Sequence, residues 1–164
     1  MTGAIDIAIS DRRWIKAVPK IEHWCRMFVK ATLATTPIGT TTSVSIALSD
    51  DATARDLNSR FRGIDKPTNV LSFPAHADTE AIGENGTLGD ILVAYQTTAA
   101  EAKGAGISVA DHLAHLIVHG VLHLCGYDHL LPRDAEAMET LEADILTRFG
   151  IADPYRGTVL EAAE

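Results

Sequence analysis

The sequence predicts a single α+β domain over residues 1–164, with about four strands and about five helices. A chain of 164 residues suits one domain and buries about two thirds of its unfolded surface. Apolar residues make up 46% of the chain and charged residues 22%, as in ordinary globular proteins. The strand patterns come early and the long helix patterns late, which favours α+β.

The first elements follow from apolar periodicity. Ile5–Ile9 alternates isoleucine with Asp and Ala, which is typical of a short strand. A helix with Pro19 near its first turn follows, because apolar residues recur there at helical spacing. Those residues are Ile21, Trp24, Phe28 and Val29. Thr42–Leu48 alternates β-branched and small residues and predicts the second strand.

Capping and turn residues bound the next elements. Ser49 and Asp50 begin a helix that ends near Gly63. After a turn, the apolar run Val70–Phe73 predicts a short strand that Pro74 stops.

The rest of the chain predicts one strand and three helices. The strand is Leu88–Val93, after an acidic loop over residues 75–87. The helices are Gln96–Lys103, a long helix that starts at Ser108 and Asp111 and ends at Gly126, and a last helix that Pro132 opens.

Charge is uneven along the chain. Residues 1–66 carry ten Lys and Arg against seven Asp and Glu, a net +3, whereas residues 67–164 carry four against fifteen, a net −11. The formal net charge is −8. This balance excludes a wholly basic nucleic-acid-binding protein but leaves room for a local basic surface in the N-terminal part.

The cysteines and the N-terminal segment indicate in which cellular compartment the protein is expected. Cys25 and Cys125 are far apart and lack a CxxC partner, so neither a disulfide framework nor a cysteine-based zinc site is indicated. We expect a cytoplasmic protein. The N-terminal segment contains Asp6 and no basic start before a long apolar core, unlike a secretory signal. The longest uncharged run, Ala31–Ser49, is interrupted by proline and glycine, so we expect no membrane span.

Five of the seven histidines lie within residues 112–129. Helical geometry places His119 and His123 one turn apart on one face, where both can reach one ion. Gly126 permits the left-handed turn that ends a helix, so the chain can fold back and bring His129 to the same point. This spacing predicts a metal site of His119, His123 and His129, against the ordinary alternative of core histidines satisfied by hydrogen bonds.

The spacing H-x3-H-x5-H, with a glycine three residues after the second histidine, matches the metzincin protease pattern HExxHxxGxxH at every position but one. The exception is Gly120, where those proteases have the glutamate that acts as general base. The pattern therefore retains the metal ligands and weakens a peptidase interpretation.

Three histidine ligands leave a fourth position open, which is typical of catalytic zinc, where the pKa of a water falls to about 7. We expect one Zn²⁺ per chain, although nickel, copper or iron suit the same ligands. His112 and His115 fit polar positions around the site. Cys125 faces away from the histidines and fits a small buried position. Asp128 either orients an imidazole or solvates the turn.

Four segments together resemble a known family. They are HGVLHLCGYDH at residues 119–129, NSRFRGIDKPTNVLSFP at residues 58–74, LGDI at residues 88–91 and DPY at residues 153–155. The sequence resembles the YbeY family, bacterial metal-dependent endoribonucleases that act in ribosomal RNA maturation.

The resemblance implies a mixed four-stranded sheet with a zincin-like helix, and a metal held by His119, His123 and His129. It also implies that Arg62 is needed for activity. The implied substrate is single-stranded RNA, with maturation of the 16S rRNA 3′ end and ribosome quality control as the role. Partners would be the small ribosomal subunit or its proteins.

The chemistry can also be assembled from the residues. Hydrolysis of a phosphodiester needs an activated water, a Lewis acid and positive charge near the developing negative charge. Arg62 offers a planar fork suited to phosphate, with Lys66 as an auxiliary substrate-binding group. The alternative for Arg62 is a solvated cation at a helix end. Only nine aromatic residues occur, so we expect salt-sensitive and weakly sequence-specific binding of single-stranded RNA.

Two other functions stay open at this point. The metzincin-like spacing favours a zinc peptidase as the runner-up enzyme. The acidic balance and the few RNA-binding features are also compatible with a non-catalytic ribosome-assembly factor whose metal is structural.

Overall fold

The computed structural model describes residues 3–76, 82, 86–128 and 131–155. Within these ranges the chain forms four strands and six helices, which confirms the α+β class. The strands are β1 (Ile5–Ile9), β2 (Ser43–Ser49), β3 (Val70–Pro74) and β4 (Thr87–Ala94). The helices are α1 (Arg13–Ala17), α2 (Ile21–Ala34), α3 (Asp51–Arg62), α4 (Tyr95–Ala105), α5 (Val109–Leu124) and α6 (Pro132–Thr147).

The strands form one mixed sheet in the order β1-β2-β4-β3. β1, β2 and β4 run parallel, and β3 pairs antiparallel with β4. Val70 lies opposite Val93 and Pro74 opposite Gly89, so Pro74 ends the pairing of the edge strand. The mixed four-stranded sheet implied by the family resemblance is confirmed.

Helices cover both faces of the sheet. On one face α2 and α5 pack side by side, and α6 packs on α5. A single core cluster contains Ile46 and Ile91 from the sheet, Phe28 from α2 and Ile117 from α5. On the other face α3 packs on β3 and β4. The long histidine-bearing helix is therefore fixed by burial against both the sheet and its neighbouring helices.

α3 begins and ends as its capping residues predict. The Asp50 side chain accepts a hydrogen bond from the Thr53 backbone N–H at 2.8 Å, and Gly63 stops the helix with φ of 68°. The buried Asn58 donates its side-chain amide to the Lys66 carbonyl at 2.9 Å. These contacts fix the last turn of α3 and the loop after it, and thereby the position of Arg62.

α5 is also bounded as predicted. Ser108 accepts a hydrogen bond from the Asp111 backbone N–H at 3.0 Å, and the last helical residue is Leu124. Gly126 follows with φ of 98°, so the chain turns back at this point. The turn leads directly to Asp128 at the histidine face of the helix.

The region around Pro19 differs from the prediction. A short helix, α1, precedes it and was not expected, and α2 begins only at Ile21. α1 exists because Trp14 is fully buried and its indole N–H donates to the Ser49 carbonyl at 2.9 Å. A tertiary contact of this kind has no local sequence pattern. Most of the predicted acidic loop, residues 75–87, lies outside the described residues.

Among the described residues no single helix is long and apolar enough to cross a membrane; only α4 and α5 taken together meet that length and composition, and they are bent by 115° relative to each other.

Candidate active site

The structure brings His119 and His123 together on one face of α5. Their Nε2 atoms lie 3.0 Å apart and their ring centroids 4.5 Å apart. Two nitrogen ligands about 2.0–2.1 Å from a tetrahedral zinc ion are about 3.3 Å from each other. The observed separation is that of a hydrogen bond and is within about 0.3 Å of the ligand spacing, so a small movement of the two rings lets both bind a single ion.

His129, the third predicted ligand, lies outside the described residues. The chain leading to it is described as far as Asp128, which lines the same cleft as His119 and His123. The turn at Gly126 therefore leads in the direction that the prediction requires, while coordination by His129 stays a prediction.

A buried carboxylate lies directly behind His119. Glu142 of α6 is fully buried, and its Oε1 atom is 2.5 Å from His119 Nδ1. Because an ionised carboxylate only accepts hydrogen bonds, His119 donates through Nδ1, and its Nε2 lone pair is directed towards His123. Ligating histidines in metalloproteins commonly have such a carboxylate partner, which fixes both ring orientation and tautomer.

Glu142 is held as an anion. Burial by itself would raise the pKa of Glu142, but hydrogen bonds from His115 and His119 outweigh burial and lower this pKa to about 2. The Tyr155 hydroxyl donates to the second carboxylate oxygen of Glu142 and lies 3.1 Å from His115 Nε2. Burial, together with the nearby Glu142 charge, raises the pKa of Tyr155, so this hydroxyl keeps its proton.

His115, His119 and Glu142 also form a cluster whose ligand atoms lie within 4.8 Å of one another, so they too can hold a metal ion. The 2.5 Å separation of His119 and Glu142 is that of a hydrogen bond and is shorter than the spacing between two ligands of one ion. The rotamers described here therefore favour ligation by the Nε2 atoms of His119 and His123, with Glu142 as the supporting carboxylate. In either arrangement the site has the side chains that a metal cofactor needs.

Arg62 reaches the same cleft from the other side. The cleft has a volume of about 540 Å³ and is lined by Arg62, Thr68, Asn69, Val70, Ser72, Pro74, His119, His123 and Asp128. Arg62 is exposed, and its Nη2 atom donates to the Ser72 carbonyl at 3.3 Å. A guanidinium has five N–H donors, so one that lines a cleft is suited to bind a phosphate.

Lys66 lies in the exposed loop after α3 and is not among the described residues that line the cleft. The loop itself is held by Asp65, which forms a two-pronged ion pair with Arg55 at 2.7 and 3.1 Å. The structure thus brings Arg62 to the histidines but does not bring Lys66 to them.

Gly120 of α5 packs closely against the sheet. A Cβ atom at this position would lie 3.1 Å from Ile91 Cδ1 and 3.3 Å from Ser72 Oγ. The position that carries the general base in metzincins therefore faces the packed sheet. A glutamate there requires the Ile91 and Ser72 side chains to shift, which counts against peptidase chemistry.

The remaining histidines and Cys125 take supporting positions. His112 Nε2 lies 2.9 Å from Glu101 Oε1, and His115 contacts Glu142 and Tyr155, in line with the polar positions expected for both. Cys125 is half-buried against the core, and burial raises the pKa of its thiol to about 11. It is not among the described residues that line the cleft.

Sequence reasoning missed Glu142 and did not give Tyr155 a role. The position of Glu142 in the sequence could have indicated its burial. It lies on the apolar side of α6, four residues after Met138 and three before Ile145, and both of these residues are buried. A carboxylate at such a position requires a partner. Tyr155 lies in the DPY segment, but its contact with Glu142 depends on how the chain returns after α6.

Comparison with known proteins gives consistent matches. A family model described as Endoribonuclease YbeY matches residues 7–150. A protein of Methylocella silvestris named Endoribonuclease YbeY is 47% identical over 167 residues, which cover 95% of this chain and 88% of that protein. A protein of the same name from Paramagnetospirillum magneticum is 44% identical over 162 residues, covering 94% and 98%.

The fold also has a match among solved structures. A solution structure of a Thermotoga maritima protein superposes with a TM-score of 0.53 at 23% identity, and the match covers 88% of this chain and 91% of that one. At this identity the match supports the fold, while the curated relatives support the family.

Proposed function

This chain belongs to the endoribonuclease YbeY family, and from that premise we propose that the cleft between Arg62 and the α5 histidines is where it cleaves single-stranded RNA. Endonucleolytic cleavage of RNA follows from the family. The observation that carries the location is the paired His119 and His123, with an arginine across the same cleft.

His119, His123 and His129 would hold the metal ion, which we propose to be one Zn²⁺ per chain because all three ligands are imidazoles. When bound, a metal of this kind supplies Lewis-acid polarisation of a phosphoryl oxygen and activates water for attack. Glu142 keeps His119 in the tautomer and orientation that ligation requires.

Arg62 supplies the positive charge. Its guanidinium can donate two parallel hydrogen bonds to phosphoryl oxygens, and these strengthen as negative charge develops in the transition state. The hydrogen bond to Ser72 keeps the guanidinium at the rim of the cleft without using all of its donors. We assign Lys66 the lesser role of attracting the RNA backbone from the neighbouring loop.

The size of the cleft supports single-stranded RNA. A volume of about 540 Å³ accommodates part of one strand at the histidines, whereas a duplex keeps its backbone on a rigid, wide helix. Within the family role, we propose ribosomal RNA maturation at the 16S rRNA 3′ end and ribosome quality control, with the small ribosomal subunit or its proteins as partners and the cytoplasm as the location. The whole chain acts as one domain in this proposal.

The two alternatives are less well supported. Gly120 has no side chain that could act as the peptidase base, and its packing against Ile91 disfavours a glutamate there. A purely structural metal in an assembly factor does not explain why Arg62 shares a cleft with the histidine pair.

The test combines metal content with RNA cleavage. Protein purified without a histidine tag is analysed for metals and incubated with single-stranded and duplex RNA, next to His123→Ala and the control His23→Ala. His23 is an exposed histidine of α2, so its removal changes the histidine count but not the cleft. We expect one zinc per chain and cleavage of the single strand in the parent and control, and loss of both in His123→Ala. Full cleavage by His123→Ala would overturn the assignment.

A further inference from the structure

A second cavity adjoins the cleft. We call it the annex; its volume is about 460 Å³ and its distinctive lining residues are Glu101, Ala105, His112, His115, Leu116 and Tyr155. Asn69, Val70 and His119 line both the annex and the cleft, so the two cavities are neighbours. An RNA strand held at His119 therefore has the annex beside it.

The annex has the lining that a planar heteroaromatic ring needs. Val70, Ala105 and Leu116 supply apolar surface, and the rings of His112 and Tyr155 stand beside it. Proteins that bind unstacked RNA bases place them on such aromatic and apolar surfaces and hydrogen-bond their polar edges. No lysine or arginine is among the described residues that line the annex, so it is suited to a base and not to a phosphate.

One carboxylate supplies a hydrogen-bonding edge. The Glu101 side chain is 44% exposed, and its Oε1 atom accepts hydrogen bonds from the Asn69 amide at 3.0 Å and from His112 Nε2 at 2.9 Å. Those contacts fix the carboxylate plane. No described residue donates a hydrogen bond to Oε2 of Glu101, so this oxygen can accept one from a ligand.

The chemistry of this edge selects one base. A carboxylate only accepts hydrogen bonds. Guanine is the base whose Watson–Crick edge presents two adjacent donors, N1–H and the N2 amino group. Adenine and cytosine place an acceptor beside their amino group, and uracil flanks its single N–H with two carbonyl oxygens, which a carboxylate repels. Glu101 Oε2 has two lone pairs and can accept from both guanine donors, so this acceptor favours guanine.

We propose that the annex binds a guanine base of the nucleotide next to the phosphodiester bond that is cleaved. Because His119 lines both cavities, a strand held at this histidine can place the base of an adjoining nucleotide in the annex. The inference rests on the proposed function. In this proposal the protein recognises the RNA backbone and, in addition, one guanine base. Cleavage therefore occurs at a fixed position relative to guanosine.

The first experiment uses single-stranded RNA oligonucleotides of adenosine and uridine that contain one guanosine, or inosine in its place. Inosine lacks only the N2 amino group. We expect the parent protein to cut at one position relative to guanosine and to cut the inosine substrate about tenfold more slowly. Glu101→Gln, whose amide presents a donor as well as an acceptor, should cut both substrates at similar rates. The control Glu22→Gln, an exposed change on α2, should retain the parent preference.

Equal rates on guanosine and inosine substrates with the parent protein would overturn the annex assignment while leaving RNA cleavage intact. The proposed function fails separately, if the metal-loaded parent cleaves none of these RNAs. The annex is then tested by binding alone, with nuclear magnetic resonance shifts of the His112 ring on titration with guanosine and inosine monophosphates. Shifts that are stronger for guanosine and weakened in Glu101→Gln support the proposal, and their absence refutes it.

Discussion

The two sides of the cleft are built differently. On the α5 side, His119 is held by a fully buried Glu142, which is itself held by His115 and Tyr155. On the α3 side, the exposed Arg62 has one hydrogen bond of 3.3 Å to a backbone carbonyl. The metal-binding side is therefore positioned before any ligand binds. On the phosphate-binding side, Arg62 keeps hydrogen-bond donors for the substrate and can move with it.

Removal of the arginine should have the largest effect of the changes considered. It should lower RNA cleavage without changing metal binding. Arg62→Ala should lower kcat/KM for RNA cleavage by about 100- to 1,000-fold, because a donor to the developing negative charge is lost. Metal content should stay that of the parent, because Arg62 is not one of the proposed metal ligands. The control is Arg60→Ala, an exposed arginine of the same helix that pairs with Asp56. A loss of metal in Arg62→Ala would show that the two sides are not independent.

Neutralising the carboxylate should have the next largest effect and should act on the other side. Glu142→Gln should raise the dissociation constant for zinc by about 10- to 100-fold, because a neutral amide holds His119 less firmly. Competition with a chromophoric chelator measures this constant directly. Glu136→Gln, an exposed change on the same helix, is the control. Equal zinc affinity in Glu142→Gln and the control would mean that the carboxylate does not support the metal ligands.

Loss of the tyrosine hydroxyl should act in the same direction but less strongly. Tyr155→Phe removes the hydrogen bond to Glu142 and should weaken zinc binding by up to about tenfold. Tyr95→Phe changes another half-buried tyrosine, at the start of α4, and should bind zinc as the parent does. If Tyr155→Phe bound zinc like its control, the support of His119 would end at Glu142.

The smallest effect concerns the helix that carries Arg62. Asp50→Ala removes the N-terminal cap of α3 and should lower the free energy of unfolding by about 1 kcal/mol at pH 7. Backbone and side-chain hydrogen bonds from Thr53 lower the pKa of Asp50 in the folded chain. The stabilisation is therefore complete above the unfolded pKa of about 3.9 and disappears as the pH falls through the lower folded value.

Denaturant titrations at pH 7 and pH 3 check this expectation. The difference in stability between the parent and Asp50→Ala should be larger at pH 7 than at pH 3. A difference that did not change with pH would assign the effect to helix propensity and not to the charged cap.

Local chemistry explains which parts of the structure the sequence predicts. α3 follows its prediction from Asp50 to Gly63, and α5 from Ser108 to the turn at Gly126, because caps and turns act within a few residues. α1 was not predicted, since five residues form a helix there only through the burial of Trp14. Apolar periodicity acts just as locally, so the four strands were predicted as well. A helix that depends on one distant contact was not.

The site divides in the same way. The spacing of His119 and His123 is local, so their placement on one face could be predicted from helix geometry. The family resemblance implied that Arg62 is needed for activity. Its position across the cleft from the histidines was not predicted, because α3 and α5 lie on opposite faces of the sheet. Glu142 and Tyr155 come from chain segments that pack on α5 only in the folded protein.

The tight contact at Gly120 has a further consequence for how such proteins can change over time. A single nucleotide change can turn some glycine codons into glutamate codons, and that one replacement would complete the protease pattern around His119 and His123. Because the added side chain would meet Ile91 and Ser72, the change costs less after smaller residues have opened space beneath the helix. The packing of α5 on the sheet thus separates RNA cleavage from peptide cleavage in proteins of this kind. The change at position 120 depends on which mutations came before it.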